Sequence, residues 1–303
     1  MKSKKDILSI SDIKDEIHEI LDLAIKFKND EIICKPLEGK SLAMIFQKSS
    51  TRTRVSFEVG MYELGGNSLF LSSSDLQLFR GEPISDTAKV LSRYVDGIMI
   101  RTFEHQDAIE LSNEADVPVI NGLTNLEHPC QALADMQTII ERKGDLNVKI
   151  AYIGDGNNVC NSLILSSACL GMNISIATPK DYEPNKDIVN EAKNISKETG
   201  SNIQITNLVE DAIYEADVMY TDVWVSMGDE EEKEKRRNDF LNYQVNSELM
   251  SLAGEDAIFM HCLPAIRGEE VTSEVIDGSQ SVVIDQAENR LHAQKAVLYY
   301  LMK

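Results

Sequence analysis

Short apolar runs alternate with helical patterns along the whole chain, and that rhythm restricts the fold more than any other feature. Candidate strands are SLAMIF (41–46), NSLFL (67–71), GIMIR (97–101), VPVING (117–122), VKIAYIG (148–154), NISIATP (173–179), QITN (204–207), VMYTD (218–222), AIFMHCLP (257–264) and SVVIDQA (281–287). Helical patterns occupy 52–64, 85–95, 128–143, 158–170 and 186–199 between them. Strands that are apolar throughout are buried on both faces, and a strand–helix alternation supplies the covering helices. The expectation is an α/β fold on parallel sheets. At 303 residues the chain suits two domains, by the usual ~100–200 residues each. The helix at 128–143 has Pro129 near its first turn and Gly144 just beyond its end, proper start and stop signals. The domain boundary is placed in or just after it. The terminal stretch ENRLHAQKAVLYYLM is a long amphipathic pattern that could pack across either domain.

The net charge of −20 disfavours a duplex nucleic acid, whose binding rests on clustered Lys and Arg. A local basic pocket for a small anion fits inside an acidic, solubilising shell. The cysteines, Cys34, Cys130, Cys160, Cys169 and Cys262, are odd in number and form no C-x-x-C pair. That argues against a disulfide framework or a zinc ribbon and fits a reducing cytoplasm. The first residues lack an apolar leader pattern, and no apolar stretch approaches the ~20 residues of a membrane-spanning helix. The charge run EEEKEKRR (230–237) reads as a solvated helix or loop, or as a segment hinged beside the preceding SMG.

The densest chemistry lies in FQKSSTRTRVSFEVG (46–60). Ser50, Thr51, Arg52, Thr53 and Arg54 follow an apolar run and open a helix. The first N–H groups of a helix lack internal partners and favour an anion. A helix cap requires one hydroxyl, whereas this turn adds further hydroxyls and guanidiniums suited to phosphate. A small phosphate compound is the expected ligand. No G-x-x-x-x-G-K-[ST] is present, so a nucleotide P-loop is disfavoured. Arg54, one position further along, is either a phosphate contact or a structural ion pair.

Three further stretches stand out. HPCQ (128–131) opens a helix; His128 can donate to a carbonyl oxygen, and Gln131, one turn on, can meet an amide. YIGDGNN (152–158) tempts a dinucleotide reading, but Val159 takes the place of the third glycine and the next strand ends in ATPKD. A Rossmann-like turn without NAD is expected, with Asn157 or Asn158 able to meet a carboxylate or merely shaping the backbone. HCLPAIRGEEVT (261–272) follows a strand, so Cys262 stands where open α/β sheets place ligands. Leu263–Pro264 is a candidate cis bond, which would aim the Cys262 and Leu263 carbonyls at an NH₂ group.

Together, SSTRTR, HPCQAL, DVWVSMG, HCLPAIRGEEVT and ENRLHAQKAVL resemble the signatures of the transcarbamoylases, in order and over nearly the whole chain. Among them they are most similar to the ornithine branch. HCLP in place of the aspartate branch's H-P-L-P, and SMG at 226–228, carry that distinction; the putrescine branch is the nearest alternative. The resemblance implies two Rossmann-like domains: 1–143 for carbamoyl phosphate, 144–284 for ornithine, and a helix at 285–303 returning to the N-terminal domain. It implies transfer of a carbamoyl group from carbamoyl phosphate to the δ-amine of L-ornithine, giving L-citrulline and phosphate in arginine metabolism, with no metal or other cofactor.

Residue by residue, it implies that Ser50, Thr51, Arg52 and Thr53 hold the phosphate. Arg101 bridges phosphate and carbonyl oxygen, and His128 donates to that oxygen. Gln131, with the backbone of Cys262 and Leu263, holds the carbamoyl NH₂. Pro129 and Cys130 complete that helix start, and Arg290 lies on the phosphate side. Asn158 meets the ornithine carboxylate, and Asp222, Ser226 and Met227 surround the amino-acid head. Arg101, His128 and Cys262 carry the catalytic roles. Gln77 matches a residue given to a neighbouring subunit's site, which implies a cytoplasmic homotrimer with shared active sites; Phe79 departs from a common glycine there. Neither a membrane nor a nucleic acid is an expected partner.

Overall fold

The computed structural model describes residues 4–73, 76, 81–226, 228 and 230–303. The chain divides into two compact units, Met1–Gln137 with Glu288–Lys303, and Thr138–Ala287. Both are α/β with parallel sheets. The sequence-based limits, 143 and 284, stand at the end of one helix and the start of another, and each helix runs through the division.

In the first unit, β1 (Ser41–Phe46), β2 (Asn67–Ser72), β3 (Gly97–Arg101) and β4 (Val119–Leu123) form a sheet in the order β2-β1-β3-β4. β3 and β4 are buried at every residue and β1 at all but its first, which is why they read as mostly apolar runs; the polar Arg101 and Asn121 are buried with them. β2 is an edge strand, and its Leu69 and Phe70 are exposed. The helices are α1 (Ile17–Lys28), α2 (Thr51–Glu63), α3 (Ile84–Leu91), α4 (His105–Glu114) and the first part of α5 (Pro129–Lys143). Ala88, Ala108 and Leu111 pack on Ala43, Ile45, Ile98 and Ile100 of the sheet. The terminal helix returns to this unit, as expected. Its Tyr299 ring meets Phe27 of α1 edge-on at 5.6 Å, and Lys295 Nζ reaches Glu63 of α2 at 2.6 Å.

In the second unit, β5 (Lys149–Ile153), β6 (Asn173–Ala177), β7 (Ile203–Thr206), β8 (Val218–Thr221) and β9 (Ile258–Met260) take the order β7-β6-β5-β8-β9. Its helices are α6 (Asn158–Leu170), α7 (Lys186–Thr199), α8 (Val209–Ile213), α9 (Lys233–Asp239), α10 (Ser247–Met250), α11 (Ser273–Ile276) and the start of α12 (Val283–Met302). α6 is buried at every position from Val159 to Cys169, the pattern of a helix surrounded by protein. It stops at Gly171, whose φ of 71° is the left-handed cap that glycine adopts without strain. α9 has no buried residue, so the charge run around it is a solvated helix.

One expected strand is absent. SVVIDQA contributes a bridge between Ser281 and Phe259, bounded by the bonds Phe259 N to Gln280 O at 2.8 Å and Val282 N to Phe259 O at 3.0 Å. From Val283 the chain is helical. Ile284 is 73% exposed, so the apolar run does not have the two buried faces that a further strand of this sheet would need.

Candidate functional site

Each sheet has a switch point where successive strands wind off in opposite directions, between β1 and β3 in the first unit and between β5 and β8 in the second. Open α/β sheets bind ligands beyond the carboxyl ends of such strands. In the first unit β1 leads through 47–50 into α2. Ser50 is the N-cap, extended at φ −162°, and its Oγ accepts from Thr53 N at 3.2 Å. Thr51 is exposed, Arg52 is half-buried and Thr53 is buried. Arg101 ends β3 and pairs in register with Phe46 of β1. Its Nη1 donates to Thr53 Oγ1 at 3.4 Å, and Arg290 Nη2 from α12 donates to the same oxygen at 3.2 Å.

His128 and Gln131 join this cluster from the start of α5. Arg290 Nη1 donates to Gln131 Oε1 at 2.7 Å and faces His128 Nε2 at 3.5 Å. Gln131 Nε2 donates to Asp135 Oδ1 at 2.8 Å, so both ends of its amide are oriented. Thr53, Arg101, His128, Gln131, Asp135 and Arg290 are all buried. Burial, and then the positive charges of Arg290, Arg101 and Arg52, hold the His128 pKa well below 6.5. The ring is therefore neutral at pH 7 and keeps one N–H to donate. Buried guanidiniums on one hydroxyl, at the positive end of a helix, make an anion site.

Neighbouring candidates sort themselves by geometry. Arg54 pairs with Glu58 at 2.9 Å and stacks on the Phe70 ring at 3.8 Å, which is the structural alternative. Pro129 is the first residue of α5. The Cys130 thiol is fully buried and donates to Asn121 O at 3.6 Å. Burial pushes that thiol up to about 11, leaving only the backbone of Cys130 for a ligand. Gln77, Phe79 and Met227 lie outside the described residues.

In the second unit the turn after β5 leads into α6. Asn157 Oδ1 caps the helix, accepting from Val159 N at 3.0 Å and Cys160 N at 3.1 Å, while its Nδ2 donates to Asp222 Oδ2 at 2.8 Å. Cys262 Sγ donates to Asp222 Oδ1 at 3.1 Å. Asp222 follows β8 and Cys262 follows β9, so adjacent strand ends bring them together. Asn158 and Ser226 are half-buried. Asn157 is committed to the cap and to Asp222, and Asn158 opens the helix it caps. Gly156 of this turn has a packing reason: a Cβ there would lie 2.3 Å from Pro184 N. The chain at 182–184 occupies the space that a side chain there would need.

The sequence reading missed His261 and Glu270. Both are fully buried. His261 Nδ1 accepts from Leu263 N at 2.9 Å, which leaves the ring proton on Nε2, 3.2 Å from Glu270 Oε1. Glu270 Oε1 also accepts from Ile266 N at 2.6 Å. The pair holds the 263–266 turn, where Leu263 has φ 56° and the Leu263–Pro264 bond is cis. His261 was visible in HCLP beside Cys262; Glu270 carries no periodic signal, and only the fold brings it back. Donor atoms of Asp222, His261 and Cys262 lie within 4.8 Å of one another. Both His261 ring nitrogens are already engaged, however, so the trio is a hydrogen-bonded site and not a ready metal cage.

Comparison with known proteins gives concordant matches. The family model for the aspartate/ornithine carbamoyltransferase carbamoyl-P binding domain matches residues 5–141, and that for the Asp/Orn binding domain matches 146–301. The ornithine carbamoyltransferase of Methanobrevibacter smithii is 66% identical over 298 residues, covering 98% of this chain and 99% of that protein. The solved ornithine carbamoyltransferase from Pyrococcus furiosus superposes with a TM-score of 0.95 at 53% identity, covering 99% of this chain and 97% of that one. The anabolic ornithine carbamoyltransferase from Campylobacter jejuni gives a TM-score of 0.94 at 43% identity, covering 98% of each.

Proposed function

The chain belongs to the aspartate/ornithine carbamoyltransferase family, and from that premise we propose that it moves the carbamoyl group of carbamoyl phosphate to the δ-amine of L-ornithine, releasing L-citrulline and phosphate. The observation that carries this reading is the convergence of Arg101 and Arg290 on Thr53 Oγ1 beside the α2 N-terminus.

In this reading Ser50, Thr51, Arg52 and Thr53 hold the phosphate with Arg290. Arg101 and His128, with Thr53, meet the carbonyl oxygen, which gains negative charge as the amine adds. Each such preorganised donor contributes roughly 3–4 kcal/mol to the transition state. Gln131 Oε1 and the carbonyls of Cys262 and Leu263 accept from the carbamoyl NH₂, and the backbone of Pro129 and Cys130 lines the same helix start. Asn158 receives the ornithine carboxylate; Asp222, Ser226 and Met227 surround its head. The new C–N bond forms as the C–O bond to phosphate breaks. A free alkylamine has a pKa near ~10 and must be neutral to attack; burial lowers it, and the leaving phosphate can take its proton. Attack requires both substrates to be held in contact, a proximity task.

The assembly we propose is a cytoplasmic homotrimer in which Gln77 enters a neighbour's site, serving arginine biosynthesis. Exposed Leu69 and Phe70 on the edge strand β2, beside exposed Val55 of α2, support a face covered by a second copy. The deciding experiment is steady-state carbamoylation of L-ornithine, putrescine and L-aspartate at saturating carbamoyl phosphate. A large preference for ornithine is expected. A preference for putrescine would keep the chemistry and overturn the carboxylate contact at Asn158; no turnover of any of the three would overturn the activity.

A further inference from the structure

α9 is exposed along its length except at Arg236 and Arg237, which are half-buried. The Arg236 side chain is only 12% exposed. Its Nη1 donates to Asp155 Oδ2 at 2.9 Å and to the Trp224 carbonyl at 3.1 Å, and its Nε donates to Glu232 Oε2 at 3.3 Å. Its guanidinium carbon lies 5.1 Å from the centre of the Tyr182 ring. Asp155 is buried and sits between Gly154 and Gly156, in the turn that presents Asn157 and Asn158. Trp224 is also buried and follows Asp222 by two residues, on the segment that continues to Ser226. One guanidinium thus ties the β5–α6 turn to the segment after β8. It does so alongside Asn157 Nδ2 to Asp222 Oδ2 at 2.8 Å and, at the strand ends, Thr221 Oγ1 to the Ile153 carbonyl at 2.6 Å.

We propose that Arg236 is a positioning residue for ornithine, stapling the turn at 154–158 to the segment at 222–226 so that Asn158, Asp222 and Ser226 keep the spacing that fits an amino-acid head group. The inference rests on the reading of the second unit as the ornithine half-site. Arginine suits the task because its planar fork serves a carboxylate, a carbonyl and a second carboxylate at once, whereas lysine is a point charge without that geometry. Small misplacements of positioning groups are read in kinetics even when the group touches no substrate.

The test compares wild type, Arg236→Ala, Arg236→Lys and Asp155→Asn. In Arg236→Ala the KM for ornithine should rise roughly tenfold or more while kcat at saturation changes far less, the signature of lost ground-state positioning. The KM for carbamoyl phosphate should stay unchanged, since the staple lies wholly in the second unit. Arg236→Lys should recover only part of the loss, and Asp155→Asn should reproduce most of it. Millimolar methylguanidinium should lower the ornithine KM of Arg236→Ala and leave that of Asp155→Asn where it is. A fall in Tm with an unchanged ornithine KM would show a merely fastening role and overturn the proposal, as would equal losses for both substrates. Absence of ornithine turnover in the wild type would overturn the parent reading instead, so the two failures are told apart.

Discussion

The two half-sites are built on opposite plans. In the first unit a set of buried candidate groups hold one another: Arg101 and Arg290 meet on Thr53, and Arg290 grips Gln131, which is fixed in turn by Asp135. In the second unit Asn158, Ser226 and Cys262 are half-buried and Asp222 is buried, and they stand beside residues with local structural duties. Asn157 caps a helix, His261 pins a turn and Arg236 braces two segments from an exposed helix. The difference follows the ligands. A phosphate is recognised by charge and needs donors fixed before it arrives, whereas a flexible amino acid is recognised by the spacing of weaker polar groups.

The sharpest way to break this contrast is Arg101→Leu. If the first half-site works by preorganised charge, kcat should fall about 10²–10³-fold while the Tm shows a folded protein. Near-normal turnover would remove the distinction between the halves. Next comes Cys262→Ala, which takes away the thiol beside Asp222. The ornithine KM should rise by roughly tenfold, the pH profile of kcat/KM for ornithine should shift, and carbamoyl phosphate binding should be untouched. An unmoved profile together with an unmoved ornithine KM would reduce Cys262 to packing.

A smaller effect concerns pH. His128 is held neutral in the folded state, below its ordinary value of 6.5, while the unfolded chain takes up that proton. The stability contributed is therefore complete above about pH 6.5 and is lost as pH falls towards the folded value. The Tm should decline on acidification below that point, and His128→Gln should flatten that part of the slope. An identical slope in the variant would place the proton uptake elsewhere. The smallest change belongs to Arg54→Gln. Its ion pair with Glu58 is on the surface, so stability should move by no more than about 0.5–1 kcal/mol and the KM for carbamoyl phosphate should hold. A weakened KM would return Arg54 to the anion site.

Much of this architecture was legible in the sequence. SLAMIF is a strand to the residue because no polar position interrupts it, and the hydroxyl-rich turn after it announced both a helix start and an anion. SVVIDQA misled because Val282 does bond to the sheet edge, and nothing in the sequence says that the next residue begins a helix. Side-chain duties were legible only where they were local. Ser50 as a cap follows from its place before the helix. The pairing of Arg236 with Asp155 spans 81 positions and that of Arg290 with Gln131 spans 159; neither leaves a mark on spacing. The place of Cys130 in HPCQ says nothing of its thiol, which the fold turns onto the Asn121 carbonyl of β4.

The burial of α6 has a consequence for how the second unit breathes. Its amides, shielded on every side from Val159 to Cys169, should exchange with deuterium only when the whole unit opens. Those of α9, with no buried residue, should exchange through local fraying. The proposed ornithine half-site should thus span a slowly exchanging helix, capped by Asn157 and begun by Asn158, and a rapidly exchanging one that carries Arg236.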